Sequence, residues 1–204
     1  MERLICVLVG YVFGLIQTGY IYGKKNGVDL RKKGSGNAGT TNALRTMGWK
    51  AGAVTLLGDC FKCVAAVVVV HLIYGKTHTD MMPLLSMYAG MGAVLGHNYP
   101  FYLKFKGGKG IAATAGLIIS TTNIWIVLIC LAAFIAIVAA TRYVSLGSMT
   151  VVTIYLISVI VYGQHGGFGV ENVSYLHEMY GVAAFLMILA FWRHRANIKR
   201  LLSG

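Results

Sequence analysis

An all-α polytopic membrane protein, crossing the bilayer about seven times, is the architecture this chain encodes, and three observations lead to it. Hydrophobic residues fill 57% of the 204 positions and charged residues only 12%, against roughly 45–50% and 25% in soluble globular chains. The apolar residues come in continuous runs, several near the ~20 residues that a helix needs to cross the hydrocarbon core, not in the period-two alternation of a barrel strand. The basic residues gather in clusters between those runs.

The candidate spans are 4–22, 53–74, 82–99, 110–121, 124–140, 146–163 and 179–192. No long linker, low-complexity tract or repeat separates them, so 1–204 reads as a single integral domain, and no small-residue cleavage site follows the first apolar run. The stretch 110–140 is long for one span and short for two. A hairpin turning at STTN, 120–123, puts Lys24, Lys25, Arg31, Lys32, Lys33, Arg45 and Lys50 on one side with Lys104, Lys106, Lys109, Arg142, Arg193, Arg195, Lys199 and Arg200. That side then holds fifteen of the eighteen basic residues. One long helix would send Arg142 and the basic tail across. The positive-inside rule therefore selects the hairpin, an extracytoplasmic N-terminus, a cytoplasmic C-terminus and motif-bearing cytoplasmic loops. The same rule explains the formal charge of +12 without nucleic acid. Trp49, Trp125 and Trp192 fall near span ends, as an aromatic belt does, and Gly10 and Gly14, like Gly92 and Gly96, have the GxxxG spacing of close helix packing.

Three polar clusters share the cytoplasmic side. In VDLRKKGSGNAGTTNALRTMG, 28–48, the glycines let backbone amides turn inward beside Ser35, Asn37, Thr40, Thr41 and Asn42, a composition suited to an anion-binding concavity. Arg45 lies one helical turn beyond Thr41. GHNYPFYLKFKGGKG, 96–110, ends a helix near Pro100 and starts another after GGKG, where exposed amides can meet phosphate. A P-loop is excluded, because Gly110 stands where Ser or Thr is required. The third cluster is split between TRYVSLGSM, 141–149, with Arg142 and Ser145, and FWRHRANIKRLLSG, 191–204, where His194 and Asn197 share a helix face. A solvated loop, a glycine turn, a capping serine and a lipid-bound basic tail are the plainer readings of these segments. Asp59 and Lys62 lie three apart within a span and read as a structural pair supporting the site. Cys60 and Cys63 have CxxC spacing, but no second pair or nearby histidine completes a metal set, and no metal is expected.

GSGNAGTTNALR, GHNYPFYLKFKGGKG, RYVSL and RHRANIKRLL, in that order, resemble the bacterial acyl-phosphate glycerol-3-phosphate acyltransferases, the PlsY family, over nearly the whole chain. The resemblance implies a bacterial inner-membrane enzyme that moves a fatty acyl group from acyl phosphate to the sn-1 hydroxyl of glycerol 3-phosphate. Its products are lysophosphatidic acid and inorganic phosphate, in the first step of phospholipid synthesis. It implies no cofactor, no coenzyme A and no obligatory protein partner. The sequence departs from the family pattern at GLIQTGY in the first span, at Cys63 and at TTN, 40–42.

On this basis Lys109 and Arg45, with Ser35 and the amides of Gly107, Gly108 and Gly110, are expected to hold the glycerol 3-phosphate phosphate. Thr41, Ser145 and Asn197 are expected at the acyl phosphate or the developing oxyanion, and His194 as a substrate-orienting group or proton shuttle. Gly34, Gly36, Asn37, Asn42, His97 and Arg142 complete the expected binding set. The base is open between the donor's own phosphate, His194 and Asp59. A small anion or phosphate transporter is the alternative, suited by Asp59, Lys62 and the glycine-rich breaks.

Overall fold

The computed structural model describes residues 1–203. Among them the chain forms ten α-helices, two three-residue 3-10 turns and no strand. The helices are α1 (Glu2–Gly14), α2 (Thr18–Lys25), α3 (Thr40–Met47), α4 (Trp49–Tyr74), α5 (Met82–Asn98), α6 (Ile111–Thr121), α7 (Ile124–Thr141), α8 (Val144–Gln164), α9 (Val173–Arg193) and α10 (Arg195–Leu202). Five segments are long and apolar enough to cross a membrane: Glu2–Lys25, α4, α7, α8 and α9. The apolar α5 and α6 are shorter, at 17 and 11 residues.

The expected 110–140 hairpin forms. Asn123 opens α7 by accepting a hydrogen bond from the Ile126 amide at 3.0 Å. On the other side of the turn, Thr121 and Thr122 donate to the carbonyls of Leu117 and Ile118, each at 2.7 Å. The expected 4–22 span, in contrast, is two helices. Leu15, Ile16 and Gln17 interrupt it, and the carbonyls freed there are taken by side chains: the Gln17 amide donates to Gly14 O at 3.2 Å and Lys62 to Ile16 O at 2.7 Å. A membrane helix can break only where such partners replace its internal bonds. The last span starts at Val173, six residues before the apolar run, because Asn172 caps it and Glu178 is neutralised by Arg3.

Contacts sort the helix ends into two groups. Arg3 and Glu178 pair at 2.5 Å, and Asp80 accepts from the Glu171 amide at 3.1 Å. At the opposite end Arg193 donates to Gly107 O at 3.1 Å and Gly108 O at 2.7 Å. Between the ends, α1 and α5 form the most extensive pairing. Their two GxxxG pairs interlock. A Cβ on Gly10 would lie 1.9 Å from Ala89 O, and one on Gly92 would lie 2.2 Å from Val7 O.

Backbone contact of this kind has no room to yield. Gly92→Ala is therefore expected to cost about 1–3 kcal/mol and to lower the thermal unfolding midpoint in detergent. Gly181→Ala on α9, where an added Cβ meets nothing within 4 Å, should leave the midpoint unchanged or raise it.

Candidate active site

A cavity of about 730 Å³ runs from the loop-rich end of the bundle into the helices. Its inner walls follow helical periodicity. Ile111, Ala112, Ala115, Ile118 and Ile119 line it from α6, Val127, Cys130, Leu131 and Phe134 from α7, and Val144, Ser148 and Val151 from α8. Each set recurs every three to four residues and so forms one face. From Ile111 to Ile119 this apolar groove runs about 12 Å along α6. Its mouth is polar and comes from all the expected clusters: Ser35, Asn37, Thr41 and Arg45 from the first, Lys109 and Gly110 from the second, Arg142, Ser145, His194 and Asn197 from the third.

The first cluster is built around Asn42. Its side-chain oxygen accepts the Ser35 amide at 2.9 Å, and its NH2 group is shared among Leu30 O, Lys33 O and Asn37 O at 2.9–3.0 Å. Asn42, expected as a binding residue, borders the cavity but commits its amide to the loop. Gly34, with φ +57°, must lack a side chain because a Cβ would lie 2.2 Å from Asn42 Oδ1. Gly34 and Gly36 shape the turn without lining the cavity. Thr41 and Arg45 share α3 and reach the cavity as their spacing predicts.

In the second cluster, Gly107 and Gly108 correct the expectation. Their amides donate to Asn98 O at 3.2 Å and His97 O at 3.1 Å, the carbonyls left free where α5 ends. Their own carbonyls accept from Arg193. Both glycines therefore fasten the turn rather than offer amides to a ligand, and of GGKG only Lys109 and Gly110 line the cavity. Lys109 hydrogen-bonds Asn197 Oδ1, joining clusters 88 residues apart. Burial, with the positive charges of Arg200, Arg193 and Arg45 nearby, pulls the Lys109 ammonium down to about 8.

In the third cluster Ser145 sits in the first turn of α8 and is buried. Arg142 ends α7 in the left-handed conformation, φ +64°, at the cavity mouth. His194, at the bend between α9 and α10, donates from Nδ1 to Ala190 O at 2.8 Å. Burial first, then Lys109 and Arg193, holds its imidazole down at about 4. At the cavity floor lie Asp59 and His97, while Lys62 sits behind them and binds Asp59 at 2.8 Å. The expected pairing of Asp59 and Lys62 is present.

Thr40, named in the first cluster, lines the cavity as well, and so do Gly39, Tyr143, Arg193 and Arg200, which were not singled out from the sequence. Arg193 and Arg200 read there as tail charge. The signal was their place beside His194 and Asn197 in RHRANIKR. Among the described residues no group of three His, Cys, Asp or Glu could hold a metal ion.

A helical bundle with a cationic mouth opening onto an apolar groove defines an integral membrane protein whose cavity has room for an anionic head joined to a hydrocarbon tail. The family model described as glycerol-3-phosphate acyltransferase matches residues 4–204. A glycerol-3-phosphate acyltransferase of Clostridioides difficile is 43% identical over 98% of this chain and 92% of its own length, and one of Bacillus subtilis is 37% identical over 97% and 92%. Crystal structures of PlsY, an integral membrane glycerol 3-phosphate acyltransferase, align with this fold in the glycerol 3-phosphate form (TM-score 0.84, 31% identity, 100% of this chain and 94% of that one). The lysophosphatidic acid form aligns with a TM-score of 0.82 at 30% identity, over 100% and 93%. The chain belongs to the glycerol-3-phosphate acyltransferase family.

Proposed function

We propose that this protein transfers a fatty acyl group from acyl phosphate to the sn-1 hydroxyl of glycerol 3-phosphate, at the cytoplasmic face of the bacterial inner membrane. The single observation that carries this reading is that the cationic mouth and the apolar groove are one cavity. Arg45, Lys109, Arg142, Arg193 and Arg200 surround it against one carboxylate, Asp59, which Lys62 neutralises. Such a field concentrates anions. The groove along α6, α7 and α8 takes the acyl tail, and the soluble substrate enters from water.

Lys109 and Arg45, with Ser35, hold the phosphate of glycerol 3-phosphate. Thr41, Ser145 and Asn197 face the acyl phosphate, where each well-placed donor to the developing oxyanion can contribute about 3 kcal/mol. The glycerol hydroxyl oxygen attacks the acyl carbonyl carbon. The bond from that carbon to the phosphate oxygen then breaks, its electron pair leaves with the phosphate, and the hydroxyl proton passes to the same group. Inorganic phosphate and lysophosphatidic acid result. Protein bases are poorly placed for this proton. Asp59 is bound to Lys62, and His194 is held near 4, well below neutrality. The donor's phosphate therefore serves as base, and the protein contributes orientation and charge stabilisation.

Seven spans, with α1, α4, α5, α6, α7, α8 and α9 crossing, put the motif segments and fifteen of the eighteen basic residues in the cytoplasm. The cations of the lining gather at the mouth, which suits a boundary enzyme better than a transporter, whose binding groups belong near the midplane.

Purified protein given palmitoyl phosphate and glycerol 3-phosphate, without added metal, should release phosphate in step with lysophosphatidic acid. Phosphate release without acylated product, or uptake into liposomes without either, would refute the assignment. Lys109 provides a pH test. Its charge is complete below about 8 and lost above it, so kcat/KM for glycerol 3-phosphate should fall as pH rises through about 8. Lys109→Arg, which keeps its charge, should move that fall to higher pH, and Lys109→Ala should lower kcat/KM about 100-fold or more. An unshifted limb in Lys109→Arg would assign the titration to another group.

A further inference from the structure

Lys62 has four neighbours and three protons. Ile16 O lies at 2.7 Å, Asp59 Oδ1 at 2.8 Å and His97 Nδ1 at 2.8 Å, with Gly14 O farther off at 3.3 Å. All three side chains are nearly sealed from solvent, at 4% exposure or less. We propose that Lys62 is a positioning residue that fixes His97 as a neutral imidazole with its proton on Nε2, so that His97 donates from the cavity floor to the phosphate held beside Lys109.

An ammonium group only donates, so a ring nitrogen 2.8 Å from it must offer its lone pair. The imidazole proton then belongs on Nε2. Charge points the same way. Asp59 and Lys62 cancel, whereas a protonated imidazole would bury a second cation against the first. The Nε2 edge of the ring lies on the glycine turn, since a Cβ at Gly108 would come within 2.0 Å of Nε2. The backbone of His97 holds the same turn by accepting the Gly108 amide at 3.1 Å. Lys109 is the next residue. His97 and Asp59 line the cavity and Lys62 does not, so the lysine acts through these two neighbours, and of the two only the histidine can donate to a phosphate. A carboxylate or carbonyl on one ring nitrogen commonly selects which nitrogen bears the proton. Here an ammonium makes that selection, in the opposite sense.

The donor role rests on the acyl-transfer reading, but its test does not require turnover. Nitrogen NMR of histidine-labelled protein in nanodiscs, without substrate, should show His97 with Nδ1 unprotonated and Nε2 protonated, assigned by loss of the signal in His97→Gln. In the double variant Lys62→Met with Asp59→Asn, which preserves net charge, the His97 signal should become a mixture of tautomers. His97→Phe should weaken glycerol 3-phosphate binding, read by calorimetry, about 10–100-fold. His97→Gln, whose amide nitrogen offers a donor near the Nε2 position, should recover most of that loss. A purely structural knot would lower thermal stability without this division in binding between His97→Phe and His97→Gln. A protonated Nδ1 in the wild type, or unchanged binding in His97→Phe, overturns the proposal. A wild type that binds glycerol 3-phosphate but transfers no acyl group would instead sink the reaction assigned above.

Discussion

The buried Lys62 ammonium is the constraint on which the rest of the structure depends. A charge inside a membrane protein is tolerated only where its partners are complete. Lys62 obtains them from three elements at once: carbonyls at the break between α1 and α2, Asp59 one turn earlier on α4, and His97 near the end of α5. Losing one partner of a buried ion pair typically costs about 3–5 kcal/mol, so these elements are held in register. The order then propagates outward. The end of α5 offers its carbonyls to Gly107 and Gly108, Arg193 clamps the same turn from α9, and Lys109 emerges beside Asn197.

This construction places the donors at a boundary. Helices supply the apolar groove because their backbones are self-satisfied in lipid. Short helices, helix ends and turns at one end of the bundle supply the cations: Arg45 on α3, Lys109 and Arg142 at turns, Arg193 at the end of α9 and Arg200 on α10. A reaction joining a lipid-tailed anion to a soluble one needs both environments within one cavity, and the junction of α6, α7 and α8 with α3 and α10 provides them. The cations also compete with one another. Lys109 is held down by burial and by the arginines around it, and an arriving phosphate relieves that repulsion as well as forming new bonds.

The all-helical membrane architecture and the 110–140 hairpin were legible because composition and charge asymmetry are additive signals, spread over many residues. The convergence of the clusters was legible for the same reason. What stayed hidden depended on single hydrogen bonds. Nothing in GLIQTGY marks a helix break, since the partners that permit it, Gln17 and Lys62, are polar side chains whose direction only packing decides. Gly107 and Gly108 carry the composition of a phosphate loop, yet their amides go to the end of α5. Asn42 reads as a ligand group and is a staple. Arg193 and Arg200 were masked by a tail whose overall basicity already had an explanation.

The central claim is that the motif segments meet on one face of the membrane, in one cavity. Single cysteines at Lys33, Lys106 and Lys199, all exposed, can be placed in a cysteine-free background and probed with an impermeant maleimide on sealed vesicles of both orientations. Glu171, exposed at the other end of the bundle, serves as the opposite marker. The three lysine positions should label only from the cytoplasmic side and Glu171→Cys only from the other. If any one of the three labelled from the same side as Glu171→Cys, the segments could not meet in one cavity, and the shared site would be disproved.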